Sequence, residues 1–367
     1  MTKTSTQAGG RLARIALALT LGACGGVVFN WLGMPLPWML GALVFNTIAA
    51  IAGAPVRAPT AARNYVVVVI GVMLGSGFTS DILAHVGGWV LSLMFLTAYM
   101  FIAGLLVVPY YIRLGKFDTA SAYFSGMPGG LNEMISIGGD MGGDERKIAL
   151  AHASRILITV SLLALWFRFI AGLEVGDRNA IGVPFTVIPP VELLVLAGCG
   201  VLGFFIGPRL RLPAPMLVGP MLISAVAHIA GLSTTPPPQE LVMLAQLVLG
   251  TIMGCRFIGS TARQIGHAIL LSIGATIITL AVTLVFAIFF HQLFGQTTEQ
   301  VLLAFAPGGL AEMSLIALAM GAEVDYVALH HIVRITIIVV MAPLVFRLLR
   351  PWLAQPPRPD PDQDSSR

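Results

Sequence analysis

The sequence predicts an all-α integral membrane protein of two inverted repeats, each with five transmembrane helices plus one re-entrant Pro-Gly-Gly segment. Three observations carry this prediction: an apolar composition, a heptapeptide that occurs twice, and the way Lys and Arg divide between loops. Of 367 residues, 57% are hydrophobic and 10% charged, with a mean hydropathy of +0.89. A soluble globular chain carries about 25% charge, so that class is excluded. Apolar runs of spanning length, such as 87–112, 148–171 and 326–345, indicate helices and not the short alternating strands of a barrel.

The heptapeptide Pro128-Gly129-Gly130-Leu131-Asn132-Glu133-Met134 returns as Pro307-Gly308-Gly309-Leu310-Ala311-Glu312-Met313, identical at six of seven positions and 179 residues later. The flanks repeat too. Pro35, Pro37 and Gly41 match Pro213, Pro215 and Gly219, while Gly71, Gly75 and Phe78 match Gly250, Gly254 and Phe257. His152, Arg155, Phe167 and Arg168 match His331, Arg334, Phe346 and Arg347. This divides the chain into a cytoplasmic tail (1–14), a first membrane repeat (15–172), a linker (173–190), a second repeat (191–350) and a disordered, Pro- and Asp-rich cytoplasmic tail (351–367).

In the first repeat the expected spans are 15–33, 38–54, 64–80, 87–112 and 148–171, with a broken stretch at 117–143. In the second they are 191–208, 214–232, 240–256, 265–291 and 326–348, with a broken stretch at 299–321. Leu21-Gly22-Ala23-Cys24 looks like a lipoprotein cleavage site. The apolar run continues to Leu32 and has a counterpart in the second half, so the first span is read as retained.

Charge decides the orientation. If each broken stretch crosses the bilayer, the repeats are parallel; if each turns back, they are inverted. Of 21 Lys and Arg, Arg155 and Arg334 lie within spans and are set aside. The inverted arrangement divides the other 19 as 17 cytoplasmic to 2 outside, the parallel one as 13 to 6. Cytoplasmic loops carry the excess of Lys and Arg, so inversion is expected.

The motif itself supplies the candidate site. Pro and Gly break a helix and allow a sharp reversal. The exposed N–H groups of the half-helix that follows then attract anions or polar groups. Glu133 and Glu312 stand near the third position of that half-helix, where a carboxylate either caps the helix or binds a proton, a cation or a cationic part of a substrate. Arg155 and Arg334 lie seven or eight residues inside their spans and need a buried anionic partner, for which Glu133 and Glu312 are the candidates. His152 and His331 precede them by three residues on the same face. The substrate-binding candidates are therefore Gly129, Gly130, Asn132, Glu133, Gly308, Gly309 and Glu312. His152, Arg155, His331 and Arg334 are the candidate proton or charge relay.

Gly71 with Gly75 and Gly250 with Gly254 form G-x-x-x-G pairs, read as close helix packing. Cys24, Cys199 and Cys255 form no C-x-x-C pair and read as small core residues. His330 faces away from His331 and makes no metal pair with it. Seven scattered histidines without Cys or carboxylate at ligand spacing supply no metal site, no cofactor and no enzyme chemistry. The net charge of +4 fits basic loops at a membrane and calls for no nucleic acid.

The repeated Pro-Gly-Gly-Leu-x-Glu-Met, the segment Met320-Gly321-Ala322-Glu323 with its copy Met141-Gly142-Gly143-Asp144, and Leu329-His330-His331-Ile332-Val333-Arg334-Ile335 resemble the bacterial AbrB membrane-duplication family. The resemblance covers about residues 15–350. It implies a multi-pass protein of the bacterial inner membrane with two copies of one domain. Members carry labels as transport proteins, regulators of gene expression or ammonia monooxygenases; the soluble DNA-binding protein of the same name is unrelated. The expectation is a secondary transporter of a small polar or anionic solute, proton-coupled or not, with the bilayer as its surroundings and self-association left open. The alternative is a membrane sensor that affects gene expression without net transport.

Overall fold

The computed structural model describes residues 2–78, 82–170, 182–294 and 296–353. Of the expected linker only 182–190 is described, and the tail from 354 onward lies outside the described residues. The first half contains α1 (Thr2–Trp31), α2 (Pro37–Ile51), α3 (Arg63–Ser76), α4 (Ile82–Arg113), α5 (Thr119–Gly126), α6 (Leu131–Asp140) and α7 (Glu145–Leu165). The second contains α8 (Pro190–Arg209), α9 (Pro215–Ile229), α10 (Gln239–Gly254), α11 (Ala262–Phe294), α12 (Thr298–Phe305), α13 (Leu310–Ala319) and α14 (Val324–Leu353). The fold is all-helical among the described residues, apart from short turns and an isolated bridge between Val183 and Pro238.

Among the described residues, seven helical stretches are long and apolar enough to cross a membrane: Gly10–Trp31, Gly87–Arg113, Glu145–Ile170, Pro190–Arg209, Gln239–Phe257, Ala262–Gln292 and Val324–Leu349. The sequence reading expects ten. The shortfall is α2, α3 and α9, helices of 15, 14 and 15 residues. At 1.5 Å per residue each is about 22 Å long, less than the ~30 Å hydrocarbon core. Their limits are written in Pro and Gly. Leu36 and Ala214, each between two prolines, adopt left-handed φ angles of 47° and 45° and start α2 and α9. The polar N-terminal segment is also helical, since α1 begins at Thr2.

Short helices suit the centre of the fold because glycine lets them touch. A Cβ on Gly75 would strike the Met221 carbonyl of α9, and one on Gly71 would lie 2.5 Å from the Leu217 carbonyl. Reciprocally, Gly250 and Gly254 of α10 abut the carbonyls of Met39 and Leu43 of α2. Each G-x-x-x-G pair thus seats a helix of one half against a helix of the other, the close packing that the motif predicts.

The broken stretches are hairpins. Asp118 caps α5 by accepting from Ser121 N at 2.8 Å, and Asp144 caps α7 by accepting from Arg146 N and Lys147 N. Between them α6 ends in left-handed Gly142, whose N–H donates to Gly139 O while Gly143 N donates to Gly138 O. This is the Schellman pattern. Gly321 and Ala322 repeat it at the end of α13, donating to Leu318 and Ala317. Asp144 N then donates to Ser121 Oγ at 2.7 Å, so the end of the first hairpin returns to its beginning. Gln300 Nε2 and Glu323 Oε2, 2.6 Å apart, close the second.

The two longest helices join the halves. Phe95 of α4 packs on Phe290 of α11 at 5.7 Å, Tyr99 on Phe286 at 5.7 Å, and Tyr110 lies over Gly274. Rising numbers on one helix meet falling numbers on the other, so α4 and α11 run antiparallel.

The glycine contacts give a direct test. Gly75→Leu must push α9 away and should cost about 1–3 kcal/mol or prevent folding. Gly266→Ala, on an open face of α11, should be neutral or stabilise by up to ~1 kcal/mol. Thermal unfolding in detergent reads both; equal effects would contradict the packing.

Candidate functional site

Each Pro-Gly-Gly motif leaves two helix ends facing each other, and different side chains serve the two. Pro128 and Pro307 lack an N–H, so the last carbonyls of α5 and α12 lose their helical partners. His152 and Arg155, one turn apart on α7, meet the first set. His152 Nε2 bonds Phe124 O at 2.8 Å, and Arg155 Nη1 donates to Met127 O at 3.1 Å and Ser125 O at 3.4 Å. His331 and Arg334 on α14 repeat this. His331 Nε2 bonds Leu303 O at 3.0 Å, and Arg334 donates to Ala306 O at 2.6 Å and Gly308 O at 2.8 Å.

Within each pair the guanidinium also donates to the imidazole Nδ1, at 2.9 Å for Arg155 and 2.8 Å for Arg334. Arg has no acceptor, so Nδ1 carries no proton and Nε2 carries it. Both imidazoles are neutral and both their nitrogens are occupied. The negative ends of the α5 and α12 dipoles therefore hold the two arginines, where the sequence reading looks to Glu133 and Glu312. That pairing is a correction with a simple cause: the arginines reach the incoming half-helix, the glutamates belong to the outgoing one.

At the outgoing ends, each position of the motif has a steric reason. Gly130 and Gly309 are the N-caps of α6 and α13, in extended conformation, and neither helix has a side-chain cap from that residue. Glu133 and Glu312, at the third helical position, fold back so that Oε2 lies where a Cβ on the N-cap glycine would be. This is the position that the returning carboxylate of a capping box takes. Met134 and Met313, at the fourth position, lie over Gly129 and Gly308, whose Cβ atoms would come within 2.8 Å and 2.6 Å of them. The second glycine makes room for the glutamate and the first for the methionine.

Both tips face one cavity of about 250 Å³. It is lined by Gly129, Gly130, Asn132, Glu133, Gly308, Gly309 and Glu312, together with Arg155 and Arg334. Nine of the eleven residues that the sequence singles out are thus brought together, while His152 and His331 stay behind the arginines. Asn132 is exposed, whereas Pro307, Gly308 and Leu310 of the other tip are buried. His330 stands apart, as expected: Nε2 lies 2.7 Å from Ser92 Oγ and Nδ1 2.8 Å from Tyr326 O.

Two lining residues escape the sequence reading, Arg63 at the start of α3 and Arg256 just after α10. Both count there as loop charges that set orientation. One signal existed: the repeat places Gly77 opposite Arg256, so a guanidinium replaces hydrogen next to the G-x-x-x-G pair. Arg256 Nη2 lies 3.5 Å from Asn132 Oδ1. Asn132 is itself the one motif position where the copies differ. Two differences between the halves, Asn132 against Ala311 and Arg256 against Gly77, thus meet at one contact.

A family profile described as "Transition state regulatory protein AbrB" matches residues 38–350. The chain belongs to the AbrB family. YhjN of Bacillus subtilis (strain 168), which its name leaves uncharacterized, is 24% identical over 356 residues, 90% of this chain and 92% of its own length. An Escherichia coli (strain K12) protein, whose name proposes it as the regulator AbrB, is 26% identical over 349 residues, 93% of this chain and 96% of its own. In this AbrB-family chain the helix ends, not a carboxylate and guanidinium pair, organise the candidate site.

Two substitutions separate these roles. Arg334→Lys cannot hold the Ala306 and Gly308 carbonyls and the His331 imidazole together and should destabilise by about 2 kcal/mol or more, because buried acceptors are left unmet. Gly309→Ala should displace the Glu312 carboxylate, which stands where the new methyl would lie, and cost about 1 kcal/mol. Chemical or thermal unfolding measures both; a harmless Arg334→Lys would contradict the carbonyl clamp.

Proposed function

We propose that the chain is a secondary transporter of a small polar or anionic solute, with its binding site at the two Pro-Gly-Gly tips. The observation that carries the reading is that both tips line one cavity, although they lie 179 residues apart in sequence. Facing ends of discontinuous helices at a repeat interface are the recurring binding arrangement of secondary transporters.

The proposal includes the architecture. The two halves are inverted repeats and each hairpin enters the membrane and leaves on the side it came from. The antiparallel course of α4 and its counterpart α11 supports inversion, as does the loop charge distribution. The closed bases of the hairpins support re-entry. The protein then sits in the bacterial inner membrane with both termini cytoplasmic, and rocking of one repeat against the other gives alternating access. No catalytic residue, cofactor or nucleic-acid partner is assigned. Proton coupling would run through Glu133 or Glu312, the titratable groups at the tips.

A second reading has one support, the name of the Escherichia coli relative. In it the same cavity binds a ligand and the conformational change reaches gene expression through a partner, without net transport.

Purified protein in sealed liposomes with an imposed pH gradient should accumulate at least one of a panel of organic anions, amino acids or ammonium. Glu312→Gln should lower initial uptake by about tenfold or more with unfolding unchanged. Ligand-induced stabilisation with no flux of any solute favours the sensor. For the architecture, single cysteines at Asp140 and Glu323, in a chain with the three native cysteines changed to Ala, should react with membrane-impermeant maleimide from opposite sides. Reaction from one side rules out inversion.

A further inference from the structure

The cavity holds more positive than negative charge. Four lining side chains are guanidiniums, Arg63, Arg155, Arg256 and Arg334, against the carboxylates of Glu133 and Glu312. Both carboxylates already fold back over the N-cap glycines of their own helices, Gly130 and Gly309. Arg155 and Arg334 are 3% and 1% exposed, and each keeps an Nε without a hydrogen-bond partner. Arg63 and Arg256 are half-buried and within electrostatic reach of each other and of Glu312. Like charges gathered in a partly desolvated site repel one another strongly until an anion lies between them. Two helix N-termini, α6 and α13, open onto the same space and add positive potential.

The donors are not spread evenly. Arg256 and Asn132 meet at 3.5 Å, and at both positions the repeat equivalent, Gly77 or Ala311, offers no side-chain donor. Recognition is therefore one-sided, at the cavity wall formed by the start of α3, the end of α10 and the first hairpin tip. Planar guanidiniums match planar carboxylates through paired N–H donors, better than they match an ammonium or an uncharged solute. The volume of about 250 Å³ is below the ~300–1,000 Å³ of sites for drug-sized ligands, which sets a compact ligand.

We propose that this cavity binds a small organic anion whose carboxylate is held by Arg63 and Arg256, with Asn132 fixing the orientation of Arg256. This rests on the transporter reading for its role but not for its chemistry. It narrows the polar or anionic solute to a carboxylate and places selectivity on the first hairpin's side.

Full-length protein in lipid nanodiscs is titrated with sodium acetate, sodium succinate, sodium phosphate, glycine and ammonium chloride at matched ionic strength. Thermal unfolding and calorimetry are the readouts. At least one of the two carboxylate salts should bind saturably and raise the unfolding midpoint, and ammonium should do neither. Arg256→Gln should weaken that binding by ~30-fold or more, the scale of removing one partner from a desolvated charge pair. Asn132→Ala, which installs the residue of the second repeat at an exposed position, should weaken it several-fold and serves if Arg256→Gln does not fold. Arg57→Gln, exposed and outside the cavity, should leave it unchanged. Binding of phosphate or ammonium in preference to both carboxylates overturns the proposal, as does carboxylate binding that survives Arg256→Gln and Asn132→Ala unchanged. Carboxylate binding without flux in liposomes would sustain this site and remove the transporter reading. Flux of a cation without carboxylate binding would do the reverse.

Discussion

A helix that stops inside a packed core leaves carbonyls that need other donors, and the rest of this structure is arranged around meeting that demand twice. The Pro at the start of each motif ends a half-helix, and a His-x-x-Arg pair on the next long helix supplies the missing donors. Once those carbonyls are held, the hairpin tip is fixed against α7 or α14. The outgoing half-helix can then present its N-terminus to open space without collapsing the turn. Loss of the clamp would free the tip, so the motif and the His-x-x-Arg pair form one device although about 20 residues separate them.

Close packing at the centre depends on a second constraint, the absence of side chains at Gly71, Gly75, Gly250 and Gly254. Helices that touch backbone to backbone bring α3 and α10 near the tips, and with them Arg63 and Arg256. Fold and site are therefore linked: the interlock that joins the halves also positions the charges that distinguish one side of the cavity from the other.

Much of this was legible in the residues. The duplicated motif announced the broken helices, G-x-x-x-G announced close packing, and the i, i+3 spacing of His152 and Arg155 announced a shared face. The partner of each arginine was not legible, because backbone carbonyls carry no sequence signature and a carboxylate nearby in the motif offers an obvious substitute. The helices α2, α3 and α9 are shorter than the apolar runs suggest, because each stops close to a glycine, Gly53, Gly77 or Gly231, that hydropathy alone does not mark as an end. Arg63 and Arg256 were hidden by position, since basic residues at helix ends ordinarily only orient a membrane protein.

The central claim is that the arginines serve the incoming half-helices and the glutamates the outgoing ones. A double-mutant cycle on unfolding free energy with Arg334→Met and Glu312→Gln tests it most directly. Independent roles predict a coupling energy of no more than ~0.5 kcal/mol. A coupling of ~3 kcal/mol or more would mean a buried ion pair between the two side chains and would contradict the account.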